Sequence, residues 1–160
     1  MYGAERCQSE GEYRMQERFA RGMSDPKARA DTRLLGDFTG IYCRGRHAGA
    51  SRRGLVSEGT SLGVYGRRTP VLCDECAELV RYAEQRRALC PKDPKPFCSN
   101  CDTHCYKPAM RESVREVMRY SGPRSMFTRH AFAGVKHLIE GRKARNEARR
   151  VVAAETKEVR

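Results

Sequence analysis

The chain contains no tryptophan, and aromatic residues make up only 8 % of its 160 positions. Apolar residues of every kind reach 39 %, and the mean hydropathy is −0.77. So little large apolar surface builds only a modest core, and cores of that size need staples: disulfides, a metal or a partner. Long hydrophobic runs are missing too, so no membrane span is expected. The N-terminus lacks a basic stretch followed by an apolar one, which argues against an export signal and for a cytoplasmic location. In a reducing compartment, clustered cysteines are metal ligands before they are disulfides. Acidic residues are also short, 20 against 32 Lys and Arg, and the net charge is +12. Such a field attracts polyanions, so the expected partner is a nucleic acid or an acidic protein met through a basic surface. The same excess also keeps a core-poor protein soluble. Absent as well are a Gly-rich phosphate loop, an HExxH helix and a nucleophile elbow. Cys105 follows His104 directly, but sequence neighbours seldom reach nucleophile–base geometry. A non-enzymatic role without a small-molecule substrate is the expectation.

What is present is sulfur. The run Cys90-x7-Cys98-x2-Cys101-x2-His104-Cys105 holds four of the eight cysteines within sixteen residues. Two-residue spacing lets two thiolates of one tight turn reach the same centre, a habit that zinc sites and iron–sulfur clusters share. Cys90, Cys98, Cys101 and Cys105 thus form one candidate set, with His104 as an alternate ligand. Zinc and an iron–sulfur cluster both fit the spacing. A second set is dispersed. Cys43 and His47 stand at i and i+4 on an expected helix, hence on one face. Cys73 and Cys76 stand at i and i+3 at the start of another. Together they make the Cys3His complement that zinc favours. Setting Cys7 aside as a free thiol, the ligands suffice for one or two four-coordinate sites.

Hydrophobic periodicity predicts a mostly α protein, a small helical domain organised around the cysteine-rich loop, with flexible basic termini. Residues 1–28 read as a disordered tail with at most a short helix near Tyr13–Arg21. A domain over 29–140 follows. It opens with a helix from about Asp31 to His47, capped by Asp31 and marked by Leu34, Leu35, Phe38, Ile41 and Tyr42. Residues 48–68, rich in Gly, Ser and Arg, read as a flexible basic insertion with a short strand at Leu62–Tyr65. Thr69-Pro70 reads as the opening of a helix that runs to Leu89. Pro108 opens another, lined by Met110, Val114, Val117 and Met118, and Ser121-Gly122-Pro123 reads as a turn. A last amphipathic segment carries Phe127, Ala131, Phe132, Val135, Leu138 and Ile139. His130 and His137 share a face of it as ordinary polar residues. The tail 141–160 has seven basic residues against three acidic. Arg111, Arg115, Arg119 and Arg124 read as a solvated helix face.

Several segments together resemble a known bacterial family. They are Tyr82 through Arg86, Cys90-Pro91, Lys95-Pro96-x-Cys98-x2-Cys101-x2-His104-Cys105-Tyr106-x-Pro108, Arg111-Glu112, Val117-Met118-Arg119 and Gly122-Pro123-Arg124. His130 and His137-Leu138-Ile139 continue the match. Ile41-Tyr42-Cys43 with His47, and Leu72-Cys73-x2-Cys76, extend it more loosely toward the N-terminus. Over about residues 29–140 the chain is similar to the nitrous oxide-stimulated promoter proteins, the YgbA-like family. The chain departs from that family's pattern at Asp102, at an extra Ser125 and at Ala131. The resemblance implies a cytoplasmic role in the nitrosative stress response, with the family cysteines carried over as Cys90, Cys98, Cys101 and Cys105. Soft sulfur ligands are nucleophilic and oxidisable, so a metal-thiolate site suits such a role. Two other expectations stand beside it. One is a zinc-stapled nucleic-acid-binding module using Arg44, Arg46, Arg52, Arg53, Arg67, Arg68 and the C-terminal tail. The other is an iron–sulfur redox or NO-sensing protein.

Overall fold

The computed structural model describes residues 3–92, 101–103, 105–125 and 146, with side chains from residue 11 onward. Helix α1 (Gly3–Gly22) leads into α2 (Pro26–Arg46), which is capped in the expected manner but at a different residue. The Asp25 carboxylate accepts from the N–H groups of Lys27 and Ala28 at 3.0 and 3.1 Å, and Pro26 follows at the first helical position. A β-region residue with a short acidic side chain satisfies two of the orphan donors of the first turn. Asp31, the expected cap, instead accepts from Arg87 Nε at 2.9 Å.

α2 is the hub. Its far side packs on α4 (Asp74–Ala88) and α5 (Pro108–Ser125), while α1 lies across α4. Between α2 and α4 the chain forms β1 (Arg53–Gly54), a single helical turn α3 (Glu58–Ser61) and β2 (Val71–Leu72). The strands pair antiparallel, Arg53 opposite Leu72 and Gly54 opposite Val71. One core gathers Phe19, Met23, Leu55, Val64, Leu72 and Val80 together with Cys43, Cys73 and Cys76. A second joins Phe38, Leu79 and Val117, with Leu34, Met110 and Val114 packed against it. Among the described residues no helix is long and apolar enough to cross a membrane.

Four expectations are corrected. The first concerns residues 1–28, which are not a disordered tail over the described residues. Phe19 and Met23 are 2 % and 0 % exposed; Phe19 is in the last turn of α1 and Met23 follows its end, four residues on. Two anchors are too few to make a visible hydrophobic period, yet they suffice to dock a helix. The approach is close: a Cβ on Gly22 would stand 1.9 Å from the carbonyl oxygen of Ala88.

The second concerns residues 48–68, which are an ordered part of the core rather than a flexible insertion. Leu55, Val64 and Tyr65 are buried. The segment is tied to the carboxylate of Glu84 on α4, which accepts from Ser57 Oγ at 3.0 Å, from the Gly59 N–H at 3.3 Å and from the Tyr65 hydroxyl. Polar composition concealed this because the segment is fastened by a polar network, not by an apolar stripe. Leu62–Tyr65 is a turn, with Gly63 at φ +64°, a conformation glycine adopts without cost.

The third is the helix expected from Thr69-Pro70. Pro70 instead precedes β2 and its carbonyl accepts from the Leu55 N–H at 2.8 Å. Proline tolerates this position because no ladder donor is needed there. α4 starts only at Asp74. The fourth is the turn at Ser121-Gly122-Pro123, through which α5 continues to Ser125. Ser121 Oγ is buried and donates to the Phe38 carbonyl at 2.7 Å, tying the last turn of α5 to α2. The expected amphipathic segment 127–139, with His130 and His137, and all of the tail 141–160 except Asn146, lie outside the described residues.

Candidate metal centre

Each donor of the dispersed cysteine–histidine set is placed by the end of a helix. Cys43 lies on the last full turn of α2, and His47 is the C-cap, its N–H bonded to the Cys43 carbonyl at 3.1 Å. Cys73 is the N-cap of α4, in extended conformation, and Cys76 is three residues on. The C-terminus of one helix and the N-terminus of the other therefore meet, and β2 delivers the chain to the junction. Arg52 holds the first end in place. Its guanidinium donates to the carbonyls of His47 and Ala48 at 2.9 and 3.1 Å, and to that of Cys43 at 3.4 Å. A cation at a helix C-terminus satisfies orphan carbonyls and the macrodipole together.

The four donor atoms of Cys43, His47, Cys73 and Cys76 all lie within 4.8 Å of one another. His47 Nδ1 is 3.3 Å from Cys73 Sγ and 3.4 Å from Cys76 Sγ. The Cys73 N–H points at Cys43 Sγ, 3.3 Å away. In a tetrahedral zinc site, neighbouring ligand atoms stand about 3.5 to 3.8 Å apart, as bond lengths of about 2.0 to 2.3 Å require. The donor set fits a single tetrahedral ion in number, chemistry and spacing. The three thiols are free, not bridged.

Electrostatics point the same way. Burial pushes the Cys43 thiol up, but the Cys73 N–H, the neighbouring thiols and the Arg52 guanidinium outweigh it and leave Cys43 below the ordinary thiol value. Burial pushes Cys76 up, and the Cys73 and Cys43 sulfurs beside it push the same way. Three thiols packed this closely cannot all ionise alone; a divalent cation removes the conflict by binding them as thiolates.

Around the donors, His47 turns its Nε2 toward Glu75, 4.0 Å from the carboxylate, and Tyr42 meets the imidazole edge-on at 5.3 Å. A carboxylate behind a ligating imidazole fixes its orientation and raises its basicity. At 4.0 Å across an exposed surface this is a weak hold, so Glu75→Gln is expected to lower zinc affinity at the gentle end, about tenfold. Competition with a chromophoric chelator measures it, and unchanged affinity removes Glu75 from the site. An open depression of about 510 Å³ reaches the centre, lined by His47, Cys73, Asp74, Glu75 and the backbone that follows α2.

The other set is placed differently. Cys90 and Cys101 are half-buried and Cys105 is exposed. Cys98 and His104 lie outside the described residues. Among the described residues, Cys90, Cys101 and Cys105 do not converge as the first four donors do. The loop is bridged by Lys92 and Asp102, 2.6 Å apart; the hydrogen bond from Lys92 holds the Asp102 carboxyl down at about 2.

Of the arginines read as phosphate contacts, Arg44, Arg46, Arg67 and Arg68 are exposed, whereas Arg53 pairs with Asp74. Arg52 serves the helix end, its guanidinium bonded to three backbone carbonyls. Its role has no local sequence signal, because its three acceptors are backbone carbonyls. Glu75 had one, standing between the two cysteines of Cys73-Asp74-Glu75-Cys76. On α5, Arg115 and Arg119 flank Glu112 at 3.3 and 3.4 Å, a solvated charged face.

Comparison with known proteins agrees with the resemblance read from the motifs. The family model described as nitrous oxide-stimulated promoter matches residues 26–150. The protein YgbA of Escherichia coli (strain K12) is 43 % identical over 63 residues, 39 % of this chain and 53 % of its own length. The chain thus spans about half the length of that curated relative. No solved structure matches. With most of its length matched, from the start of α2 past the end of α5, this chain belongs to the nitrous oxide-stimulated promoter family.

Proposed function

We propose that this is a non-enzymatic, cytoplasmic metal-thiolate protein of the nitrosative stress response, in which Cys43, His47, Cys73 and Cys76 hold a zinc ion. The observation that carries this reading is the mutual approach of four donor atoms to within 4.8 Å. An iron–sulfur cluster interposes several iron and sulfide atoms between its ligands and needs them farther apart, so the spacing favours one ion over a cluster here. The family description supplies the link to nitrogen oxides, and the chemistry of soft, oxidisable sulfur is compatible with it. Cys90, Cys98, Cys101 and Cys105, with His104 in reserve, form a second centre in this reading, either zinc or iron–sulfur. The exposed Arg44, Arg46, Arg67 and Arg68 offer a basic surface to a protein or nucleic-acid partner.

Elemental analysis after anaerobic purification tests the metal. At least one tightly held zinc per chain is expected, surviving gel filtration. Protein that carries iron in place of zinc, or no metal at all, overturns the assignment. A strain lacking the protein should grow normally until exposed to nitric oxide; equal growth under exposure removes the stress role.

A further inference from the structure

The three sulfurs of the Cys43–His47–Cys73–Cys76 centre are not equally reachable. All three are buried, Cys43 at 0 %, Cys76 at 2 % and Cys73 at 6 % exposed, but of the three only Cys73 lines the open depression beside His47 and Glu75. An electrophile arriving from solvent therefore meets Cys73 first. Cys73 also sits at the N-cap of a fifteen-residue helix, at the mouth of the site. Behind it stands a ready second thiol. Cys76 follows three residues later, its sulfur within 4.8 Å. A three-residue step at a helix start brings two α-carbons into bridging range, so a disulfide there needs only side-chain rotation. Cys43 belongs to another helix, and its sulfur is engaged by the Cys73 N–H.

We propose that Cys73 is a modification site for low-molecular-weight S-nitrosothiols, and that Cys76 then displaces the nitroso group to close a Cys73–Cys76 disulfide. In the first step the Cys73 thiolate attacks the nitroso nitrogen. A sulfur–nitrogen bond forms on Cys73, that of the donor breaks, and the electron pair leaves with the donor as its thiolate. In the second step the Cys76 sulfur attacks Cys73. The sulfur–sulfur bond forms, the sulfur–nitrogen bond breaks, and nitroxyl departs with the bonding pair and one proton, taken from the Cys76 thiol or, where Cys76 is a zinc-bound thiolate, from water. The two cysteine sulfurs lose two electrons and the nitroso nitrogen gains them, so no further oxidant is required. Resting on the zinc reading above, a last consequence follows: two of four ligands are gone and the ion is released.

The test uses the full chain, purified anaerobically and treated with S-nitrosoglutathione. Trypsin cuts after Arg68 and Arg81, so both cysteines fall on one peptide, residues 69–81. That peptide is expected to become two hydrogens lighter, and dithiothreitol should reverse the change. Cys73→His keeps four ligands of zinc-compatible type and no nucleophile at the mouth, so its zinc release should slow at least about tenfold. A bridge joining residues 34–44 to 69–81, or nitrosation of Cys43 before Cys73, overturns the proposal. Zinc content before treatment judges the metal reading by itself. The position of the disulfide judges this one, with or without bound zinc.

Discussion

Cys43→Ser is expected to lose the zinc proposed for this site and at least about 3 kcal/mol of folding stability, the scale set by deleting one partner from a buried charged site. Cys43 is fully buried in the larger core, among Leu55, Leu72 and Cys76. Serine there offers an oxygen that does not ionise at neutral pH and coordinates zinc poorly. The remaining Cys73, Cys76 and His47 would then face a polar hydroxyl instead of a shared cation. The loss spreads because the site joins the end of α2 to the start of α4, and those helices carry most of the fold. The check is a denaturant titration of wild type and variant, each with and without a strong chelator. Chelation should bring wild type down to the variant and leave the variant unmoved. A variant that keeps stoichiometric zinc, or a wild type indifferent to the chelator, would sink the idea that metal staples this fold.

Glu84→Ala is the second large effect, about 3 to 5 kcal/mol, for a different reason. The Glu84 side chain is 2 % exposed and serves three donors: Ser57 Oγ, the Gly59 N–H and the Tyr65 hydroxyl. Truncation strands the buried Gly59 N–H and Tyr65 hydroxyl, while Ser57, half-buried, keeps its hydrogen bonds to Thr60. Hydrogen exchange should then accelerate at Gly59 and Val64 well before the α2–α5 contact loosens. Exchange unchanged at those amides would show that the 48–68 segment does not depend on this carboxylate.

The same group gives the fold a pH dependence of definite sign. Burial raises the Glu84 pKa above its ordinary 4.5, and the hydrogen bonds from Tyr65, Ser57 and Gly59 oppose without cancelling it. The folded state therefore binds the proton more tightly than the unfolded chain. Stability from this group is fully present below the unfolded value and is lost as pH rises through the raised folded value. Glu84→Gln does not titrate and presents an amide N–H toward the Gly59 N–H, so it is less stable than wild type at low pH. The stability gap should narrow as pH climbs through that window; a gap that widens contradicts the raised pKa.

The start and the apolar stripe of α5 could be read from the chain because they depend on neighbours within a turn. Pro108 opens α5 as expected, and Val117 is buried with Met110 and Val114 packed beside it. Cys43 and His47 share one end of α2, and Cys73 and Cys76 share one end of α4, for the same local reason. The 48–68 segment resisted because its anchor, Glu84, lies beyond it in sequence and is polar. Charged residues count as surface in any periodicity argument, and here one is a core residue.

Composition alone determined that this chain is basic, poor in core and rich in soft donors, since those properties are sums over residues, and local periodicity marked it as helical. Which donors meet is a different kind of fact. Cys43 and Cys73 stand thirty residues apart, and only the packing of α2 on α4, with β2 steering the chain between them, brings their sulfurs to one point. Local spacing can offer pairs of ligands. Closing them into a site takes the long-range contacts that a linear chain does not display.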